Sequence, residues 1–258
     1  MNGNFLKVAK QAALEAGKVI QKYSGQNVKK DIKEGDKSNF VTKVDLESEK
    51  VIVKILSSHF PSHSIITEEG GGRDKKSDYI WMIDPLDGTF TFSQHIPYFT
   101  VSIGLLKNKQ PILGVINHVS LKNIYWAQKD KGAFLNDKEI KVSNKKELEE
   151  VAGTLELGHR QKRQIRLDSY INRLVTKIGY AYQFGSSAVT LALVAEGLLD
   201  LYVSQAYPWD FVAGAVIVRE AGGTVTDFEG KEPDWTKERI NLVASNGLIH
   251  ERILEALR

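Results

Sequence analysis

Apolar residues in the first 60 positions recur with a helical period. Phe5, Ala9, Ala12, Ala13, Ala16, Val19, Ile20 and Tyr23 share one face, interrupted by Lys7, Lys10 and Glu15, so the spacing predicts an amphipathic surface helix from Met1 that Gly25 ends. The lysine-rich stretch from Lys29 to Asn39 has no such period and reads as an exposed, mobile loop. A second helix is expected from about Asp45, with Leu46, Val51, Ile52, Ile55 and Leu56 on one side, closed by Phe60-Pro61. Short strand-like segments follow at Ser64 to Thr67 and Tyr79 to Ile83. From Thr100 to Val142 the runs Val101 to Leu106, Ile112 to Ile116 and Ile124 to Ala127, parted by turn residues, predict a β-meander. The second half alternates. Strands are expected near Gly153 to Leu157, Asp200 to Val203, Thr224 and Leu242. Helices are expected at Arg163 to Ile178, from Gly185-Ser-Ser-Ala188 into Thr190 to Glu196, at Asp210 to Ala221, and at the C-terminus. Blocks of helices and mostly antiparallel strands make an α+β fold, with a soft boundary near Ser143 to Lys146 dividing residues 1–142 from 143–258.

Composition mainly excludes. There is no cysteine, which rules out disulfides, zinc–thiolate sites, iron–sulfur clusters and cysteine nucleophiles. A net charge of +3, from 35 Lys and Arg against 32 Asp and Glu, is too small to call for nucleic acid or an anionic membrane as partner. No apolar run approaches the roughly 18 residues of a membrane span, and charges break up any signal-peptide core, so no membrane partner is expected and the cytoplasm is the default location. The six histidines lack metal-binding spacing, and Gly70-Gly-Gly72 lacks the Gly-Lys-Ser/Thr continuation of a phosphate loop.

Candidate chemistry lies in three acidic clusters, each at the end of an apolar segment or the start of a helix. Glu68-Glu69 follows Ile65-Ile66. Asp84 and Asp87 lie in Trp81-Met-Ile-Asp-Pro-Leu-Asp-Gly-Thr89, and Asp210 opens a helix in Pro208-Trp-Asp-Phe-Val-Ala-Gly214. Pro85 is expected to fix a tight turn that points Asp84 and Asp87 at one spot, where their repulsion calls for a cation. Gly88-Thr89 then offers backbone N–H groups for phosphate oxygens. Carboxylates for a metal beside amides for a phosphate are what metal-assisted phosphate hydrolysis requires. Taken singly, the middle segment is read equally well as a solvated turn, and Glu68-Glu69 or Asp210 better as ordinary turn or N-cap residues; the combination is what points to a site.

The same motifs, with Asn39-Phe-Val-Thr-Lys-Val-Asp45, Thr67-Glu-Glu-Gly70, Gly185-Ser-Ser-Ala188 and Glu220-Ala-Gly-Gly223, make the chain resemble the inositol monophosphatase family of Mg²⁺-dependent, lithium-sensitive phosphatases, in order and over nearly its whole length. That resemblance implies a layered αβαβα sandwich of two intimately packed subdomains. The N-terminal one would carry most metal ligands, the C-terminal one Asp210 and substrate contacts. It implies two to three Mg²⁺ ions, with Mn²⁺ as a substitute: Glu68, Asp84 and the Leu86 carbonyl for the first, Asp84, Asp87 and Asp210 for the second, and Glu68 again for a weaker third, with Glu69 nearby but outside the ligand set. It assigns catalysis to Glu68, Thr89 and Asp45, with Thr89, held by Asp45, orienting a metal-bound water and accepting its proton. Substrate contacts fall to Gly88, Thr89, Ser186, Ser187 and Asp210. The partner is a small phosphorylated metabolite, and a homodimer is expected.

The resemblance fixes the substrate less well. The glutamate that commonly contacts inositol hydroxyls, seven residues before the Trp-Asp aspartate, corresponds to Val203, which cannot accept a hydrogen bond; Ser204 or Gln205 are the nearby substitutes. Ser187 stands where alanine is common, and Phe90-Thr91 where Thr-Asn is common, as in archaeal-type members that also hydrolyse fructose bisphosphate. Arg160, Lys162, Arg163 and Arg166 form a basic cluster that a second phosphate would meet, or that is simply a solvated helix start. A sugar or polyol monophosphatase is therefore the first expectation. Fructose-1,6-bisphosphatase, histidinol-phosphatase or 3′-nucleotide bisphosphatase are alternatives, and a non-catalytic regulatory or binding protein the remotest.

Overall fold

The computed structural model describes residues 3–258; Met1 and Asn2, where the first helix was expected to begin, lie outside the described residues. Helix α1 (Gly3–Tyr23) buries Ala9, Ala12, Ala13 and Ala16, small side chains that let it lie close to its neighbours. A hairpin of β1 (Lys30–Ile32) and β2 (Phe40–Thr42) follows, where the sequence suggested only a loop. Helix α2 (Lys43–His59) starts in a capping box formed by Thr42 and Asp45.

These helices cover one face of a seven-stranded sheet whose order follows the chain: β3 (Ser64–Thr67), β4 (Tyr79–Asp87), β5 (Thr100–Lys107), β6 (Gln110–His118), β7 (Asn123–Gln128), β8 (Ala133–Leu135) and β9 (Lys138–Ile140). Both faces are buried, so alternate residues serve different cores. Val101, Ile103 and Leu105 of β5 face α1 and α2, whereas Leu106 faces the middle of the molecule. A five-residue helical segment, α3 (Thr89–Ser93), interrupts the path from β4 to β5.

The middle layer is α6 (Ser187–Ala195) and α7 (Pro208–Glu220), numbered after the short helical pieces α4 (Arg163–Arg166) and α5 (Asn172–Leu174). Beyond it lies a second sheet in the order β11-β10-β12-β14-β13, built from β10 (Ala152–Leu155), β11 (Tyr180–Tyr182), β12 (Leu201–Ala206), β13 (Thr224–Thr226) and β14 (Ile240–Ser245). Pieces α4 and α5 and the C-terminal α8 (His250–Leu257) cover its far face. This is the expected αβαβα sandwich of α+β class. No described helix is long and apolar enough to cross a membrane.

Helix α7 meets the larger sheet at backbone distance. Gly104 and Gly114 stand opposite each other in the β5–β6 register. A Cβ on Gly114 would lie 2.1 Å from the Ala213 carbonyl oxygen, and one on Gly104 would lie 2.4 Å from Val212 Cγ1. One apolar cluster therefore joins Met82, Leu106 and Ile116 to Leu191, Phe211 and Ala213 across the soft boundary.

Two local departures stand out. The expected helix from Arg163 to Ile178 is broken by a π-helical turn, Leu167–Ile171, and its last α-helical piece ends at Leu174. Arg166, Tyr170, Ile171 and Leu174 all turn inward from this broken helix. Strand β11 was not expected, because Tyr180-Ala-Tyr182 is too short and too exposed to show a pattern.

Candidate active site

In a regular strand, residues three apart face opposite sides. Asp84 and Asp87 escape that rule through a bulge: Asp84 stands opposite Ser102 and Asp87 opposite Thr100, so Pro85 and Leu86 together face Val101. The expected tight turn at Pro85 is thus a kinked strand. Ser48 of α2 secures the kink by donating to the Pro85 carbonyl (2.8 Å), and the Leu86 N–H donates to Asp84 Oδ1 (3.0 Å). Gly88 follows with φ +91°, and a Cβ there would lie 2.7 Å from the Tyr98 carbonyl oxygen, so only glycine fits this bend into α3.

Asp87 reaches across to the second half. Its Oδ2 accepts from the Ser186 hydroxyl (2.6 Å) and the Ala188 N–H (2.5 Å), and its Oδ1 from the Ser187 N–H (3.2 Å). Burial raises its pKa to about 6, although these donors pull the other way. Asp210 sits in the first turn of α7, and its Oδ2 accepts the Tyr207 N–H (2.9 Å). Asp45 takes the matching position in α2. Its Oδ2 accepts from the Thr42 N–H (2.9 Å) and hydroxyl (2.5 Å), and its Oδ1 from the Thr89 hydroxyl (2.8 Å). The helix-capping roles are therefore real for both aspartates, and the Thr89–Asp45 contact exists alongside one of them.

Electrostatics mark this cluster as short of positive charge. Asp84 is 2% exposed; burial first, then Glu68, Asp87 and Asp210, push its pKa well above the carboxylate range. Asp210 is raised likewise by burial, Glu68 and Asp87. Glu69 is raised to about 7 by burial and by Glu68. The cation in contact is Lys33, whose Nζ lies 3.1 Å from Glu68 Oε1 and 2.7 Å from Glu69 Oε1. Burial alone would lower its pKa, but the two carboxylates outweigh that and raise it. Lys33 was hidden in a lysine-rich stretch, where nothing in the sequence separates it from its solvated neighbours. Among the described residues, no three Asp, Glu or His side chains gather closely enough to form a ready ligand set. The available donors are carboxylate and carbonyl oxygens throughout, the chemistry that suits a hard divalent cation.

Other expected contacts move. Ser186 is buried, caps α6 by accepting the Val189 N–H, and spends its proton on Asp87, so it faces that carboxylate and not open space. The Ser187 hydroxyl accepts from Tyr202 (2.8 Å). Val203 is 0% exposed in the outer core with Leu155, Tyr170 and Ile249, on the face of β12 turned away from the site; Tyr202 and Ser204 lie on the other face. Arg166 is buried with both Nη groups on backbone carbonyls, which takes it out of the expected basic cluster, while Arg163 stays exposed with its Nε on the Gly158 carbonyl. Trp81 is fully buried and Trp209 stacks on Tyr207. A cleft of about 750 Å³, lined by Gly35 to Ser38, Phe90, Arg160 and Gln161, opens beside Thr89.

The model of the inositol monophosphatase family matches residues 1–258. The chain belongs to the inositol monophosphatase family. It is 36% identical to a protein of Aquifex aeolicus named fructose-1,6-bisphosphatase/inositol-1-monophosphatase, over 98% of this chain and 95% of the relative. It is 35% identical to the Nus factor SuhB of Pasteurella multocida, again over 98% and 95%. The crystal structure of extragenic suppressor protein suhB from Bartonella henselae superposes with a TM-score of 0.91 at 31% identity, covering 99% of both chains. Membership in the inositol monophosphatase family accounts for the order in which the acidic motifs occur along the chain, and for the layers that carry them.

Proposed function

We propose that this chain is a metal-dependent phosphomonoesterase acting on a small sugar or polyol phosphate, with Mg²⁺ as its natural ion and Mn²⁺ as a substitute. The supporting observation is the carboxylate cluster, in which burial first, and then repulsion from Glu68 and Asp87, disfavours negative charge on Asp84 and Asp210, a cost that a divalent cation would relieve. Glu68, Asp84 and the Leu86 carbonyl would hold one ion, Asp84, Asp87 and Asp210 a second, and Glu68 a weaker third. Bound ions supply Lewis acidity and lower the pKa of water.

The chain's own groups do the rest. Thr89 donates its proton to Asp45 Oδ1 (2.8 Å), which leaves the lone pairs on its oxygen to accept a hydrogen from an attacking water. That proton then has a path toward Asp45, whose pKa burial lifts to about 6, near the working range of a base. The backbone N–H groups of Gly88 and Thr89 grip the phosphate, and the cleft beside Phe90 takes the leaving group. A bisphosphate substrate is the second reading, favoured by Lys37 and Arg160 in that cleft and by the name of the Aquifex relative. Lithium inhibition, a homodimer and a cytoplasmic location accompany the proposal through the family alone.

The test is phosphate release from inositol 1-phosphate, fructose 1,6-bisphosphate, histidinol phosphate, adenosine 3′,5′-bisphosphate and glycerol 2-phosphate, with Mg²⁺ and with EDTA. Mg²⁺-dependent release from at least one is expected, and Asp84→Asn should abolish it while leaving the protein folded. A folded, metal-loaded protein that releases phosphate from none of them would refute the proposal and favour a non-catalytic role.

A further inference from the structure

Arg166 is 6% exposed and makes no ion pair with any carboxylate among the described residues. The Glu156 carboxylate is near enough to feel its charge, but no carboxylate oxygen pairs with it directly, so the guanidinium spends its hydrogen bonds elsewhere. Its Nη1 donates to the Glu156 carbonyl (3.1 Å) and its Nη2 to the Gln205 carbonyl (2.5 Å). Tyr170, from the π-helical turn, donates its hydroxyl to the same Glu156 carbonyl. These two carbonyls lie where the parallel pairing of β10 and β12 runs out: Leu155 stands opposite Val203, and the Glu156 N–H donates to the Val203 carbonyl (2.9 Å). Arg166 therefore takes over as the cross-link between the two strand ends.

Both strand ends lead to the candidate active site. Two residues beyond Gln205, the Tyr207 N–H holds Asp210 Oδ2 (2.9 Å), and Arg239 steadies that turn by donating to the Tyr207 hydroxyl (2.8 Å). Beyond Glu156 the chain enters the turn at 159–161. There the Arg160 N–H donates to the Ser38 hydroxyl (3.2 Å), and the Gln161 backbone bonds Asp36. Ser38 and Asp36 belong to the hairpin loop that carries Lys33 to Glu68 and Glu69. One side chain thus fixes the root of the segment bearing Asp210 and the root of the turn that meets the Lys33 hairpin.

We propose that Arg166 is a positioning residue for divalent-cation binding, setting the place of Asp210 through the Gln205 carbonyl and that of the 159–161 turn through the Glu156 carbonyl. It touches neither ion nor substrate. The proposal rests on the metal-dependent reading above, and its effect has the scale of groups that orient metal ligands, about 10- to 100-fold in metal affinity.

The experiment is a Mn²⁺ titration of the full chain, with free Mn²⁺ followed by electron paramagnetic resonance, on wild type, Arg166→Met, Arg166→Lys, Asp210→Asn and Leu174→Ala. Leu174 is fully buried in the same outer core, so its truncation reports simple loss of stability. Arg166→Met should weaken the Mn²⁺ binding that Asp210→Asn also weakens by at least about tenfold, and should add nothing further in the Asp210→Asn background. Arg166→Lys, able to serve one carbonyl, should fall between, and carries the test alone if the methionine variant does not fold. Leu174→Ala should lower the melting temperature with Mn²⁺ affinity unchanged. Wild-type Mn²⁺ affinity in the folded Arg166 variants, or an equal loss in Leu174→Ala, would overturn the positioning role. If wild type itself bound no Mn²⁺, or if Asp210→Asn bound it as wild type does, the metal-dependent reading would fail instead.

Discussion

Replacing Asp45 by asparagine separates proton transfer from architecture. The carboxyl is 1% exposed and accepts three hydrogen bonds, two from Thr42 and one from Thr89. Burial nevertheless raises its pKa to about 6, against the pull of the Thr42 and Thr89 donors. A free aspartate titrates near 3.9, so the folded state holds this proton more tightly by about two pH units. At about 1.4 kcal/mol each, keeping the charge at pH 8 costs on the order of 3 kcal/mol. An amide of the same shape avoids that cost. Its oxygen can take both Thr42 donors, while its nitrogen turns toward Thr89. Thr89 would then accept from the amide and donate to the Leu86 carbonyl, 3.0 Å away. The number of hydrogen bonds is preserved, but the Thr89 hydroxyl loses its base. In EDTA, Asp45→Asn should melt at or above the wild-type temperature at pH 8, with the gain vanishing as the pH falls toward about 4. Mg²⁺-saturated kcat should fall about 10²- to 10⁴-fold. Turnover within threefold of wild type would refute the proton path. A loss of more than about 2 kcal/mol of stability at pH 8 would show that the carboxylate's bonds, not its proton, account for any lost activity.

Two further outcomes follow from the same site. Burial raises Asp87 to about 6 and Glu69 to about 7, so the folded state binds these protons more tightly than the unfolded chain does. The stability they contribute is present at low pH and lost as pH rises from about 4 to about 7; melts in EDTA should show that decline, with Mg²⁺ flattening it, and stability rising with pH in EDTA would reverse the sign. Val203→Glu, which would restore the glutamate common in inositol-specific relatives, should instead bury an unpaired carboxylate in the outer core. We expect a loss of several kcal/mol, read as a lower urea midpoint, with no gain in selectivity for inositol 1-phosphate.

The layers were legible because periodicity reports burial directly. Helix α1, helix α2 and the meander from β5 to β7 fall within a few residues of their expected limits, since each shows a clean period of 3.6 or a continuous apolar run. Register was less legible. The bulge at Pro85-Leu86 brings two carboxylates together through an offset between strands, which a single-strand pattern does not encode. The motif's spacing identified Val203 as a position without the usual inositol contact, but it could not say which face of the strand the side chain takes, and alternation turned it into the outer core. Ser186 was expected at the substrate because its motif pointed there, but a hydroxyl at a helix start answers first to the nearest unpaired acceptor, Asp87. Lys33 illustrates a different obstacle, a long flexible side chain whose partner lies 35 residues away in sequence.

Helix α7 buries nine of its thirteen residues, because one side packs on the glycine pair of the larger sheet and the other on the smaller sheet's core. The consequence concerns inheritance. Residues 143–258 made alone would carry that helix with half its apolar surface uncovered, and residues 1–142 would present a sheet with its matching groove empty. Neither piece is a portable module. Exchange of halves between relatives will succeed only where Gly104, Gly114 and the Val212-Ala213-Gly214 surface arrive from parents whose backbones already fit each other.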